Sequence, residues 1–255
     1  MFIKELNDMK LRSLIILLLL FASLVVTIAL RPYTETMFDQ LISEFEKLPE
    51  FIKKIMGSPE QLTRLKDDEY YLITQWHGKN FGQFLPLLSL LIAFPIFSKE
   101  NEKKTIYFLL AKKERKTVFK IKFITGLLVL LSITIFLSIM GFFTMKLFGY
   151  SVSFKYLFPC LLSEIVGVTF FFVLFLMFSI ISNDQVKPVI AGIVVLIGLP
   201  ILGLIDSLSF LNPYPYILCV QILDKGINWI YTFGLIFVTI LLIIADYSIF
   251  KNREF

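Results

Sequence analysis

Histidine and cysteine are almost missing from this chain. One histidine, His77, and two cysteines, Cys160 and Cys219, stand among 255 residues. A zinc-binding H-E-x-x-H helix needs two histidines, so that chemistry is excluded, as are triads that call on a second histidine. Two cysteines cannot build a disulfide framework or a cysteine-rich metal site. No G-x-S-x-G nucleophile elbow is present. A G-x-x-x-x-G-K-S/T phosphate loop is also missing, so the chain is not expected to bind and hydrolyse ATP alone. Charge is sparse as well: 18% of residues are charged against 57% hydrophobic, with 28 Phe. Apolar runs of about 20 residues recur, which a soluble domain does not carry and a polytopic membrane protein does. The net charge of +5 would suggest nucleic acid only on a soluble basic domain. Here the bases lie beside apolar spans, which is a membrane-topology pattern.

The expected fold is an all-α integral membrane protein with six transmembrane helices. Residues 1–12 place Phe2, Ile3, Leu6 and Met9 on one helical face and predict a short amphipathic helix on the membrane surface. Spans are expected at 13–30, 81–97, 123–145, 156–181, 188–205 and 229–249. The first follows a basic start but ends without a small-x-small cleavage site, so it reads as an uncleaved anchor. Residues 31–80 form the largest polar segment. Met37, Phe38, Leu41, Ile42, Phe45 and Leu48 follow helical spacing, as do Phe51, Ile52, Ile55 and Met56 before Gly57, and Ser58-Pro59-Glu60-Gln61 reads as a fresh helix start. This segment is therefore expected to be a helical extracellular loop between spans 1 and 2. Pro86 and Pro95 predict kinks in the second span. Residues 206–228 contain Asn212-Pro213-Tyr214-Pro215-Tyr216 and then an apolar piece too short to cross, which suggests re-entrant half-helices before span 6.

Between spans 2 and 3 lies the polar segment 98–122, with nine Lys or Arg residues around an apolar patch, Ile106-Tyr107-Phe108-Leu109-Leu110. A charged loop has no need of five adjacent apolar residues, so a short helix that docks on another protein is expected here. With the N-terminus inside, the inner segments carry fifteen Lys or Arg against ten outside. The positive-inside rule then places loop 98–122 and both termini in the cytoplasm.

Few residues offer chemistry inside the spans. Glu164 lies within span 4, where a carboxylate must pair, protonate or face a cavity. It is a candidate for a substrate path or gate, with Tyr214 and Tyr216, and a structural interhelical hydrogen bond or a water-facing position is the other reading. Asp246 is expected to reach the interface or pair with a base such as Lys251. His77, beside Trp76, reads as an interfacial belt residue. Cys160 and Cys219 both fall on the predicted outer side. They could pair there or remain as two free buried thiols.

The run from Glu100 to Lys112 resembles the stretch after the second span in bacterial ABC transporter permeases of the type 2 exporter class. Glu100, Glu102, Thr105, Ile106, Leu109, Leu110 and Ala111 match the family pattern, and later basic positions fall on Arg115 or Lys116 and on Lys122. Lys104 stands where Gly is usual and Lys113 where Pro is usual. The outer loop, with Leu48-Pro49-Glu50 and Tyr70-Tyr71-Leu72, is similar to the subgroup of bacitracin-resistance, sodium-extrusion and peptide-export permeases. The resemblance implies a cytoplasmic coupling helix at roughly 100–117 that sits in a groove on a separate ATP-binding subunit. Glu100, Glu102, Thr105, Ile106, Leu109, Leu110, Lys112 and Arg115 are the implied coupling residues. It further implies two ATP-binding subunits carrying ATP and Mg, a second permease chain, identical or related, and no cofactor in this chain. Export of an amphipathic or hydrophobic substrate from a bacterial cell, with a peptide or antibiotic favoured, is the expected function. A non-ABC polytopic protein, such as an ion-coupled carrier or an assembly factor, is the alternative.

Overall fold

The computed structural model describes residues 1–34, 37 and 63–254, and among these there is no β-strand. The helices expected between 38 and 62 therefore lie outside the described residues. The helices that build the bundle are α1 Phe2–Ala29, α2 Phe81–Ala93, α3 Pro95–Glu102, α4 Ile106–Lys112, α5 Arg115–Leu147, α6 Leu157–Ile181, α7 Val186–Leu202 and α8 Trp229–Asn252. Among the described residues, five helical stretches are long and apolar enough to cross a membrane: Phe2–Ala29, Asp68–Glu102, Arg115–Leu147, Phe154–Ile181 and Trp229–Asn252. The chain is an all-α integral membrane protein. The fifth expected span is the 17-residue α7, at the short end of what a hydrocarbon core of about 30 Å demands.

Helix α6 is the centre, packed against α2, α5 and α8, while α1 lies along α5. Phe171, Phe172, Phe175 and Leu176 on α6 are fully buried there. Helices α7 and α8 turn apolar rows outward, Ile190, Val194, Ile197 and Ile201 on one and Ile230, Phe233, Phe237 and Leu241 on the other. That spacing is one helical stripe, suited to lipid or to another apolar helix.

Several boundaries differ from the sequence reading. The amphipathic segment and the first span are one unbroken helix, because no Gly or Pro interrupts residues 2–29. Its inward residues near the start are Glu5 and Met9, while Phe2 and Ile3 point out. The second span begins well before residue 81. A helical turn at Asp68–Tyr71 leads into a nine-residue π-helix, Leu72–Asn80, and then into α2. The chain passes Pro86 without leaving the helix, whereas Pro95 separates α2 from α3. At that joint a neighbouring helix supplies the missing partner. The Ser179 hydroxyl on α6 donates to the Phe94 carbonyl at 2.6 Å and accepts from the Phe97 and Ser98 amides at 3.0 and 3.1 Å. A break at membrane depth is tolerated only when such groups are satisfied again. The segment 206–228, where half-helices are expected, holds three short helical pieces, Asp206–Leu211, Tyr214–Ile217 and Ile222–Lys225.

One end of the bundle gathers the N-terminus, the 95–115 region, the 182–187 turn and the C-terminus, and we call it the basic end. At the far end Arg31, which is 2% exposed, donates to the Lys66 carbonyl at 2.5 Å and lies 4.7 Å over the Tyr71 ring. The Tyr71 hydroxyl donates to the Thr27 carbonyl at 2.8 Å, so the end of α1 is clamped to the start of the second crossing.

Candidate functional site at the basic end

The apolar patch in loop 98–122 folds as α4, a two-turn helix set between two breaks. The first break is a Schellman turn that closes α3. The Thr105 amide bonds the Glu100 carbonyl at 2.9 Å and the Lys104 amide bonds the Asn101 carbonyl at 3.1 Å. Such a turn needs a left-handed residue, and Lys104 supplies it with φ of 55°. Lysine thus holds the backbone that the usual glycine would adopt without strain. The second break is at Lys113, whose φ of −144° a proline ring could not adopt. Both departures from the family pattern are thus accommodated by backbone shape: one is strained, the other extended.

The implied coupling residues separate into two groups. Glu100 is buried, accepts from the Thr105 hydroxyl, and lies 3.4 Å from the Lys122 ammonium. Lys122 is 1% exposed and also donates to both carboxylate oxygens of Glu5 at 2.9 Å. Arg115 donates to the carbonyls of Phe250, Lys251 and Arg253 at 3.1, 3.0 and 2.7 Å, which satisfies the open C-terminal end of α8. Ile106 is 1% exposed and faces the core. Glu100, Thr105, Ile106 and Arg115 therefore hold the loop onto its own bundle. Tyr107 and Phe108, by contrast, are 50% and 72% exposed, with Leu109 and Leu110 half-buried beside them. Lys112 is exposed, and the exposed Glu102 accepts from the Gln185 side chain. The outward face of α4 is therefore aromatic with bases around it. Next to it a cavity of about 380 Å³ is lined by Asn101, Glu102, Lys104, Tyr107, Asn183 and Arg253.

The other candidate residues are scattered. Glu164 is fully buried and meets His77 Nδ1 at 2.7 Å. Sequence reasoning set His77 at the interface, yet the π-helix turns it inward beside Trp76 and Phe142. The side chain of Trp76 lies over Gly141 of α5, where an added Cβ would stand 2.7 Å from the indole. Extended π-helix is rare and tends to mark functional sites. The Tyr214 hydroxyl donates to the Leu196 carbonyl on α7 at 3.2 Å, and the Tyr216 hydroxyl is 2.9 Å from Thr232 Oγ1 on α8. Glu164, Tyr214 and Tyr216 thus bond three different partners and share no cavity among those described. Asp246 departs from expectation. It is fully buried on α8 and neither carboxylate oxygen has a hydrogen-bond partner among the described residues, so it does not reach Lys251. It shares the inward stripe of Thr239 and Phe250. Cys160 and Cys219 are free and buried, with the Cys219 thiol 3.6 Å from the Cys160 carbonyl oxygen.

Residues 1–254 match the family model described as ABC-2 family transporter protein. The chain belongs to the ABC-2 transporter family. It is an ABC transporter permease of type 2, a multi-pass membrane component. Membership implies a membrane setting and an ATP-binding partner. At the basic end α4 presents an exposed aromatic face. No curated protein matches the chain closely enough to serve as a named relative. The residues missed at this ABC-2 permease's basic end are Glu5, Tyr107 and Phe108. The apolar run did signal the last two, but only folding shows which of its five residues point outward. Glu5 carried one weak signal, its i, i+4 spacing to Met9.

Proposed function

We propose that this chain is the permease subunit of an ATP-driven exporter, with α4 as the coupling helix that meets a separate ATP-binding subunit. The observation that carries the proposal is the outward aromatic face of α4, Tyr107 and Phe108, inside a strongly basic loop. An aromatic anchor ringed by charges suits a compact interface centre with a polar rim. The basic end then faces the cytoplasm, with both termini there, in a bacterial plasma membrane. Two ATP-binding subunits serve two permease chains, whose apolar α7 or α8 faces meet each other or lipid. Closure of the ATP-binding pair moves the two α4 helices and exposes the substrate path outward. An amphipathic or hydrophobic substrate, a peptide or antibiotic, fits the aromatic spans.

The test is a double variant, Tyr107→Glu with Phe108→Glu. Both residues are exposed, so folding should survive. The permease is purified from its native membrane, and a co-purifying subunit is sought that carries a phosphate-binding loop. The variant should lose that subunit and the ATPase stimulation that reconstituted permease confers. Retention of both by the variant would sink the proposal.

A further inference from the structure

We propose that Lys122 is a positioning residue that couples displacement of α4 to the N-terminal helix. This rests on the coupling role given to α4 above. The ammonium of Lys122 is one node for three elements. It spends two donors on Glu5 of α1, at 2.9 Å to each oxygen. Its contact to Glu100 of α3 is longer, at 3.4 Å. The carboxylate of Glu100 in turn accepts from the hydroxyl of Thr105, the residue immediately before α4. A continuous polar chain therefore runs from α4 through Thr105, Glu100 and Lys122 to Glu5. It crosses from the loop to α5 and on to α1.

A shift of α4 displaces Glu100 through Thr105, and the Lys122 ammonium follows that carboxylate while keeping its paired grip on Glu5. Lys122 then passes the displacement to α1. The node also has room to respond. A cavity of about 150 Å³ opens on Glu5, Glu100 and Lys122, and Asp8, Arg12 and Lys99 also line it. A close-packed node would be static, whereas charges beside a cavity can exchange partners. Stability alone does not call for the arrangement. Buried ion pairs replaced by apolar groups of similar shape are often neutral or more stable. Coupling travels through such elements when two arrangements are available.

The test uses the permease with its ATP-binding subunit in lipid nanodiscs. Lys122→Met and Glu5→Gln are each compared with the parent chain. Both variants should keep the ATP-binding subunit bound, because the outer face of α4 is untouched. Both should lower permease-stimulated ATPase activity by about tenfold. The Glu5→Gln result is the sharper one, since the Glu5 carboxylate is bonded to Lys122 and lies on α1, outside the loop. A lowered melting temperature with full stimulation would make the node a fold contact only and overturn the inference. Loss of the bound subunit in both variants would also overturn it. If the parent chain itself binds no ATP-binding subunit, the coupling reading fails instead. A nitroxide on Lys103→Cys then tests the node alone; Cys160 and Cys219 are buried, so the label goes to the new thiol. Lys122→Met should free that label, and an unchanged spectrum would overturn the inference.

Discussion

Lys104 and Asp184 each hold a turn at the basic end, by different physics. Lys104 sits at φ 55°, where a Cβ crowds the following carbonyl. Lys104→Gly should therefore raise stability by up to about 1 kcal/mol in thermal unfolding, less the entropy that glycine adds to the unfolded chain. Asp184 accepts from the Lys187 and Val186 amides at the start of α7, and these hydrogen bonds, that to Lys187 first, hold its carboxyl below the usual carboxylate range. The sign follows: the depressed carboxyl favours the folded turn above the ordinary pKa of about 4 and loses that effect as pH falls through its folded value. Hydrogen exchange at the Val186 and Lys187 amides should quicken relative to the rest of α7 only at acid pH, and Asp184→Ala should remove the pH dependence. His77 and Glu164 form a third residue-scale case. A single buried contact, Nδ1 to Oε1, joins them, so Glu164→Ala or His77→Ala should cost about 3 kcal/mol, and the double variant clearly less than the sum. Additive losses in that cycle would mean that the two side chains do not interact.

At the scale of elements, the joint between α2 and α3 was only half legible. Pro95 announces an interruption, but nothing local says how its freed groups are satisfied. Ser179, more than eighty positions away, provides the hydroxyl. Ser179→Ala should destabilise the protein by about 2 kcal/mol, because the Phe97 and Ser98 amides lose a buried partner. Wild-type melting of that variant would mean that water or a backbone shift replaces the hydroxyl. The spans themselves were readable, since apolar length against bilayer thickness is a one-dimensional property. Their ends were less so. Helix α5 begins inside the basic loop and α1 absorbs the surface segment, because lysine and arginine are good helix formers and no breaker intervenes.

For the whole molecule, burial organises the far end as the loop organises the basic end. Cys219 lies in the segment between α7 and α8 and packs with Ile73, Cys160 and Ile222. Burial pushes its thiol well above the ordinary range, with Cys160 adding to the effect. A maleimide should therefore label the folded permease very slowly at neutral pH and quickly after denaturation, since the thiolate is the reactive form. Rapid labelling of the folded protein would show that this segment opens readily. The whole-molecule placement of charge is equally asymmetric. The basic end carries the α4 loop, Lys187 and Arg253, which is why the cytoplasmic orientation is proposed for that end.

Composition and run length alone determined that this chain is helical and crosses a membrane several times. The pattern from Glu100 to Ala111 also pointed to its family, because that recognition stretch is contiguous. Only the tertiary structure decided which charges meet. Lys122 joins Glu5 across 117 positions, and His77 joins Glu164 across 87. The physical reason lies in the solvent. In water a helix shows its inward face by the polar residues on the other side, but in lipid both faces are apolar and that stripe fades. The rotation of each helix is then set by packing against its neighbours. Packing turned Ile106 inward and left Tyr107 and Phe108 facing out.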